Sequence, residues 1–252
     1  MDRKIEDDGD NLILSSTRYT TVIVKAITFD LGGTLLESEM DLEGYHKALA
    51  SYLQAKGCEV EPQRLKSAID TALTHLSEIQ ADGREKTFEE VYREALGSVQ
   101  FETNDRTLGE IRELFSAHGS ARVYPCVDQL LSDLSKKYRL GMISNSIHST
   151  PREIVAERGW GKYFSAVVVS RDVGFRKPRP EIFRYALSLL GVGAAETLHV
   201  GDRVDADVGG ASAMGMNPIW ISHGRENIWR GYVIENICDL STLLEEITGR
   251  GA

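Results

Sequence analysis

The sequence has few cysteines and no long apolar run. Its three cysteines, Cys58, Cys126 and Cys238, are odd in number and widely spaced, so they show neither a metal-binding pattern nor a disulfide framework. Sparse, unpaired cysteine is typical of a reducing compartment, and we predict a cytoplasmic protein. No stretch approaches the roughly 18 consecutive apolar residues of a membrane-spanning helix, so we expect no membrane contact.

Positive charge is also in deficit. The 252 residues include 29 Lys and Arg against 38 Asp and Glu, which gives a net charge of −9. The phosphate backbone of nucleic acid requires a basic surface, so this balance excludes nucleic acid as the main partner. It does not exclude a small phosphorylated substrate, because a few local cations and a bound metal can make one cleft attractive to an anion.

The chain does contain a clear alternation of strand and helix patterns. The apolar run 22–29 is nearly continuous, which is typical of a buried parallel strand. Further short apolar runs, with helical patterns between them, lie at 140–143, 166–169, 198–200, 218–221 and 234–237. Strands that alternate with helices predict an α/β fold with a Rossmann-like, doubly wound parallel sheet.

A block of helical periodicity interrupts this alternation directly after the first strand. Leu65, Ile69 and Leu73 recur at helical spacing, and similar stripes elsewhere in the block predict four helices, enough for an all-α bundle. We therefore predict an N-terminal extension, an α/β core in two segments and an inserted helical cap, at residues 1–21, 22–38 with 120–252, and 39–119. The extension has only Leu12-Ile13-Leu14 as an apolar run, too short for a signal peptide.

Polar residues follow the carboxyl ends of four predicted strands. The first strand runs into Asp30-Leu31-Gly32-Gly33-Thr34, and the second ends in Ser144-Asn145. The third leads to Lys177, which precedes Pro178-Arg179-Pro180, and the fourth ends in Gly201-Asp202, with Asp207 five residues later. Because open α/β sheets bind ligands at the carboxyl ends of their strands, all four segments can converge on Asp30.

These four motifs, in this order and spacing, resemble those of the haloacid dehalogenase-like hydrolase superfamily over about residues 22–247. The resemblance implies that Asp30 attacks phosphorus and forms an aspartyl-phosphate that water then hydrolyses. It implies that Lys177 neutralises Asp30 and the phosphoryl oxygens, and that Ser144 donates a hydrogen bond to the transferring group. The helical insertion matches the family's first-position helical cap. We accordingly predict a phosphatase-like hydrolase.

The same resemblance implies Mg²⁺ as cofactor. Asp30, Asp202 and the backbone carbonyl of Gly32 would hold the ion, and Asp207 would orient its water or the lysine. Gly33, Thr34 and Asn145 are the residues that we expect to contact the small phosphorylated substrate.

Position 32 departs from the family motif. The family has a second aspartate there, which acts as general acid and base, whereas Gly32 has no side chain to move protons. General acid–base catalysis is worth roughly 10²–10⁴-fold in rate. We therefore predict weak turnover of alkyl phosphate monoesters and smaller losses with acyl or aryl phosphates.

The departure leaves other functions open. The chain could be a catalytically impaired protein that binds phosphate and metal in a regulatory role. Phosphonatases of the family recruit a cap lysine, for which Lys47, Lys56, Lys66 and Lys86 are candidates by location only. Dehalogenases of the family have no metal site, so the pair Asp202 and Asp207 argues against that chemistry. His199, inside a predicted strand, is expected to be a hydrogen-bonded core histidine.

Overall fold

The computed structural model describes residues 23–249, and the extension predicted for residues 1–21 lies outside them. The strands, in chain order, are β1 (Ala26–Phe29), β2 (Leu36–Met40), β3 (Gly119–Val123), β4 (Arg139–Ser144), β5 (Phe164–Val169), β6 (Thr197–Gly201), β7 (Asn217–Ile221) and β8 (Tyr232–Ile234). The helices are α1 (Leu42–Ala55), α2 (Pro62–Ala81), α3 (Phe88–Ser98), α4 (Asp105–Ala117), α5 (Val127–Leu134), α6 (Thr150–Glu157), α7 (Ser170–Val173), α8 (Pro180–Leu190), α9 (Gly210–Ala213) and α10 (Leu240–Thr248).

Six strands form one parallel sheet in the order β5-β4-β1-β6-β7-β8. This confirms the predicted Rossmann-like α/β fold. All four residues of β1 are buried, as its continuous apolar sequence requires of a central strand covered on both faces. Since β1 lies between β4 and β6, the loops that follow these three strands are neighbours at one edge of the sheet.

Helices α1–α4 lie between β2 and β3 and form a helical insertion, residues 42–117. Its apolar stripes pack into a cluster of their own, which includes Tyr45, Leu49, Ile69 and Phe88. The four helices agree with the four predicted from periodicity. Capping boxes fix two of their starts, with Thr87 at α3 and Asn104 at α4.

The antiparallel ribbon β2–β3 connects the sheet to the helical insertion. Sequence patterns gave no indication of these two strands. Most of their side chains are exposed on both faces, so the apolar–polar alternation that identifies a half-buried strand is absent. The connection from β6 to β7 contains a π-helical turn at Val204–Gly209, which is followed by α9.

The cysteine prediction was wrong for two of the three residues. Cys126, directly before α5, and Cys238, in the 3₁₀ turn before α10, form a disulfide with their Cα atoms 5.7 Å apart. They are separated by 112 positions in the chain, so only the tertiary fold brings them together. Cys58 is a free thiol. The argument for the cytoplasm that rested on unpaired cysteines therefore no longer holds.

No helix within residues 23–249 combines the length and the apolarity required to cross a bilayer.

The main apolar cluster under the sheet predicts a large difference between two leucine truncations. Leu131 in α5 is completely buried in this cluster, whereas Leu189 in α8 is 49% exposed. Leu131→Ala should lower the free energy of unfolding by about 2–5 kcal/mol, because it removes buried methyl groups and leaves a cavity. Leu189→Ala, the matched control, should stay within about 0.5 kcal/mol. Urea unfolding measures both, and equal losses would contradict the assigned core.

Candidate active site

Four segments that the sequence singled out meet at the carboxyl edge of the sheet. Asp30 follows β1, Ser144 ends β4, and Asp202 follows β6. Lys177 lies in the connection between α7 and α8. Asp30, Ser144 and Lys177 are buried and Asp202 is half-buried. The structure thus brings together the residues that the motifs predicted.

The Lys177 ammonium group connects two carboxylates. Its Nζ donates to Asp30 Oδ1 at 2.7 Å and lies 2.6 Å from Asp207 Oδ1. A third donation, at 2.7 Å, goes to the main-chain carbonyl of Ile143, the residue before Ser144. The three N–H groups of an ammonium therefore each have an acceptor, as a lysine that is 97% buried requires.

Burial and neighbouring charges move the pKa values of this cluster in different directions. Burial raises the pKa of Asp30 to about 7, although the Lys177 charge acts against it. Burial alone would also raise the pKa of Asp207, but Lys177 and His199 outweigh it and hold that pKa well below its usual range. For Lys177, burial lowers the pKa, but Asp207 and Asp30 outweigh it and the net pKa is raised. Of the two carboxyl groups, Asp207 is therefore the one held in its ionised form, whereas Asp30 needs further positive charge nearby to be ionised.

The donor set can hold a divalent cation. Asp30, Asp202 and Asp207 each offer a carboxylate oxygen, and these oxygens lie within 4.8 Å of one another. Both oxygens of Asp207 are engaged, Oδ1 by Lys177 and His199 and Oδ2 by the main-chain N–H of Arg203. Asp202 is held less tightly, with an Arg225 nitrogen 3.8 Å from Oδ2, and burial raises its pKa. Oxygen donors on Asp30 and Asp202 suit Mg²⁺, a hard cation.

The two glycines after Asp30 have different surroundings. A Cβ on Gly32 would meet no atom within 4 Å, so the position that holds an aspartate in the family motif opens onto free space. A Cβ on Gly33 would lie 2.8 Å from Asp202 Cγ, and Gly33 has φ of +72°. Gly33 is therefore required both for the turn and for the close approach of the Asp202 carboxylate.

The residues predicted to contact substrate fall into two groups. Thr34 is buried, and its Oγ1 has no hydrogen-bond partner in the part of the chain that the structure describes. The Asn145 amide is used otherwise: its oxygen accepts from the Lys177 main-chain N–H at 2.8 Å, and its nitrogen donates to the Lys177 carbonyl at 2.9 Å. This pairing fixes the Lys177 segment against the Ser144 loop.

The four candidate cap lysines all pair with carboxylates of the helical insertion itself. The partners of Lys47, Lys56, Lys66 and Lys86 are Glu43, Glu110, Asp70 and Glu94, respectively. These pairings give no support to the phosphonatase-like alternative, which needs a cap lysine at the reaction centre.

Sequence reasoning missed a buried link between the helical insertion and the site loops. The Glu85 side chain is fully buried and accepts from Ser170 Oγ at 2.8 Å, with Arg176 Nη1 at 3.3 Å. Ser170 Oγ also accepts from the main-chain N–H of Ser146, two residues after Ser144. A glutamate in a polar turn has the pattern of a solvated residue, so no sequence signal could have identified it.

The loop after β7 also contacts the site more closely than expected. His223 Nε2 lies 2.6 Å from the Gly33 carbonyl oxygen, and Arg225 donates to the Asp202 carbonyl at 2.7 Å. Both residues belong to a polar segment after β7 whose sequence is typical of a solvent-facing loop. Their side chains instead hold the main chain of the two acidic loops.

Comparison with known proteins agrees with this geometry. The family model described as "Hydrolase: haloacid dehalogenase-like hydrolase" matches residues 24–215. A glyceraldehyde 3-phosphate phosphatase of Methanocaldococcus jannaschii is 27% identical over 235 residues, which cover 89% of this chain and 99% of that protein. A phosphoserine phosphatase of Thermus thermophilus is 32% identical over 142 residues, or 56% of this chain and 55% of that protein.

A solved structure also resembles this fold closely. The 2-haloacid dehalogenase from Pseudomonas syringae pv. Tomato DC3000 superposes with a TM-score of 0.68 at 25% identity, over 88% of this chain and 98% of that one.

The contrast between Gly32 and Gly33 predicts unequal effects of adding one methyl group. Gly33→Ala should weaken Mg²⁺ binding at least about tenfold, because the methyl displaces Asp202 and strains a left-handed turn at a cost of about 1–3 kcal/mol. Gly32→Ala, the matched control, should bind Mg²⁺ within about twofold of the unchanged protein, since its Cβ has free space. Titration calorimetry measures both affinities, and equal affinities would contradict this account of the loop.

Proposed function

This chain belongs to the haloacid dehalogenase-like hydrolase family, and from that premise we propose that it is a Mg²⁺-dependent phosphatase of a small phosphorylated substrate. The observation that carries the proposal is the Asp30 carboxylate, held through one oxygen by buried Lys177 beside the half-buried Asp202. The relatives named as phosphatases of glyceraldehyde 3-phosphate and phosphoserine support this substrate class.

In the proposed reaction Asp30 is the nucleophile. Its carboxylate oxygen attacks phosphorus, the bond from phosphorus to the leaving oxygen breaks, and an aspartyl-phosphate forms. A water molecule then attacks phosphorus, the bond to Asp30 breaks, and inorganic phosphate leaves. Lys177 keeps one Asp30 oxygen fixed, and the hydroxyls of Ser144 and Thr34 supply hydrogen bonds to the phosphoryl oxygens.

Asp30, Asp202 and the Gly32 carbonyl would hold the Mg²⁺ ion. The bound ion supplies charge neutralisation between the nucleophilic carboxylate and the anionic phosphoryl group. Asp207 is kept out of this ligand set by its bonds to Lys177, His199 and the Arg203 main chain, and its task is to fix the lysine.

The glycine at position 32 limits the rate at which phosphate monoesters can be hydrolysed. Protonation of a leaving alkoxide and deprotonation of the attacking water both need a proton carrier, and Gly32 offers none. Aryl and acyl phosphates have better leaving groups and depend less on a general acid. We therefore propose activated phosphates as the better substrates, with residues 39–119 acting as the cap over the site.

The alternative function is a phosphate-binding protein with little turnover. The open space beside Gly32 favours it, because the metal and phosphate ligands can persist without the acid.

An assay with an aryl phosphate separates the two functions. Asp30→Asn should reduce hydrolysis of p-nitrophenyl phosphate with Mg²⁺ to the uncatalysed background, since the amide cannot act as nucleophile. Asp133→Asn, at an exposed position of α5, is the matched control and should retain full activity. Chelation of Mg²⁺ should also abolish turnover. An unchanged protein that binds phosphate analogues but turns over no substrate would support the binding function instead.

Restoring the missing carboxylate should increase activity on alkyl esters. Gly32→Asp is expected to raise kcat for an alkyl phosphate monoester by roughly 10²-fold, the lower bound for general acid–base catalysis. The side chain enters open space, so the variant should fold. Gly32→Asn, which has the same size but no titrating group, is the control. A folded, Mg²⁺-binding Gly32→Asp variant with no gain over Gly32→Asn would refute this explanation.

A further inference from the structure

His199 lies in a buried polar chain that connects strand β1 to the nucleophile. The residue is completely buried in β6, and the parallel register places it beside Thr28 of β1. Its Nδ1 is 2.9 Å from Thr28 Oγ1, and its Nε2 is 3.3 Å from Asp207 Oδ1. Asp207 in turn contacts Lys177, and Lys177 contacts Asp30, so the polar contacts extend from His199 to Asp30.

We propose that His199 is a positioning residue: as the Nε2–H tautomer that faces Asp207, it fixes Asp207 and, through Asp207, holds the Lys177 ammonium against Asp30. The proposal rests on the phosphatase function proposed above. It gives the core histidine a part in that reaction without contact with substrate.

The tautomer follows from the partners of the ring. Lys177 holds Asp207 ionised, and a carboxylate only accepts hydrogen bonds, so Nε2 must carry the proton that faces it. Burial lowers the pKa of His199, which keeps the ring neutral and leaves Nδ1 as an acceptor. The single hydroxyl proton of Thr28 is then donated to Nδ1, in preference to the Leu198 carbonyl at 3.1 Å. The Asp207 carboxylate thus selects the tautomer, and the β1–β6 register places the Thr28 hydroxyl where it can donate to Nδ1.

The His199 contact completes the enclosure of Asp207. Oδ1 accepts from Lys177 and His199, and Oδ2 accepts from the Arg203 N–H at 3.0 Å. Gly201 packs against the same side chain, where any Cβ would overlap the Asp207 carboxylate. Without the histidine donor, Asp207 loses one of the two hydrogen bonds that fix Oδ1, and the oxygen shared with Lys177 can move.

A neutral ring also preserves the charge balance of the site. Asp30, Asp202 and Asp207 with Lys177 carry a net charge of −2 when ionised, which one divalent cation cancels. A charged residue at position 199 would disturb this balance, whereas neutral imidazole supplies a directional donor without adding charge.

Two substitutions of His199 distinguish positioning from simple packing. His199→Leu removes the donor and should lower kcat for p-nitrophenyl phosphate by about ten- to a hundredfold, with KM within about twofold, because the nucleophile is misplaced while substrate contacts remain. His199→Gln can place an amide N–H towards Asp207 and should recover most of the kcat. His75→Leu, at a half-exposed position of α2, is the matched control and should keep full activity. If His199→Gln is as impaired as His199→Leu, or if neither is impaired, the proposal is overturned.

A substrate-free measurement tests the tautomer directly. In ¹⁵N-histidine NMR of the unchanged protein, the signals that vanish in His199→Gln should show Nε2 protonated and Nδ1 unprotonated. Thr28→Val, which removes the donor at nearly constant volume, should move the Nδ1 signal while Nε2 stays protonated, whereas exposed Thr74→Val should move neither signal. A protonated Nδ1 in the unchanged protein overturns the proposal. Failure of the phosphatase function would appear separately, as absence of turnover in the unchanged protein. The NMR result for the tautomer would then be the test of the His199 proposal.

Discussion

The Lys177 ammonium, shared by Asp30 and Asp207, is the interaction on which the candidate site depends. The lysine side chain is 2% exposed, and Asp207 is equally inaccessible at 1%. Removing such charges from water costs several kcal/mol per ion, and only close pairing with full hydrogen bonding offsets that cost. Any one of these groups left alone would be an uncompensated buried charge. The arrangement is therefore maintained as a unit, and this unit sets the orientation of the Asp30 carboxylate.

The parallel sheet makes this unit possible. Because β1 is central, its neighbours β4 and β6 each deliver a loop to the point where Asp30 emerges. Hydrogen bonds from side chains to the main chain then hold the loops together. The Asn145 amide pairs with the main chain of Lys177, and Arg225 donates to the Asp202 carbonyl. The acidic protein thus holds the Lys177 ammonium where the phosphoryl group of the proposed substrate would bind.

The sequence predicted the parts of the fold and site that local patterns encode. Continuous apolar runs identified the buried strands, helical stripes identified the insertion, and short motifs identified Asp30, Lys177, Asp202 and Asp207. The exposed ribbon β2–β3 has no such pattern. The Cys126–Cys238 pair and the Glu85–Ser170 contact depend on long-range packing, which spacing along the chain does not report. Asn145 lies beside the site, and its amide pairs with the Lys177 main chain, a contact that the motif does not encode.

The buried Glu85 contact bears on how this architecture can be engineered or exchanged. A helical insertion that contacted the core only through its two covalent connections could be exchanged between homologues without further changes. Here its turn contributes a carboxylate to Ser170 and Arg176, and its main chain pairs with Gly174 and Arg176 of the core. A transplanted insertion without this glutamate would leave Ser170 Oγ and the Arg176 side chain without their acceptor. The two parts therefore form a matched pair, and a chimera would have to carry residues 170–176 along with the donor's helices.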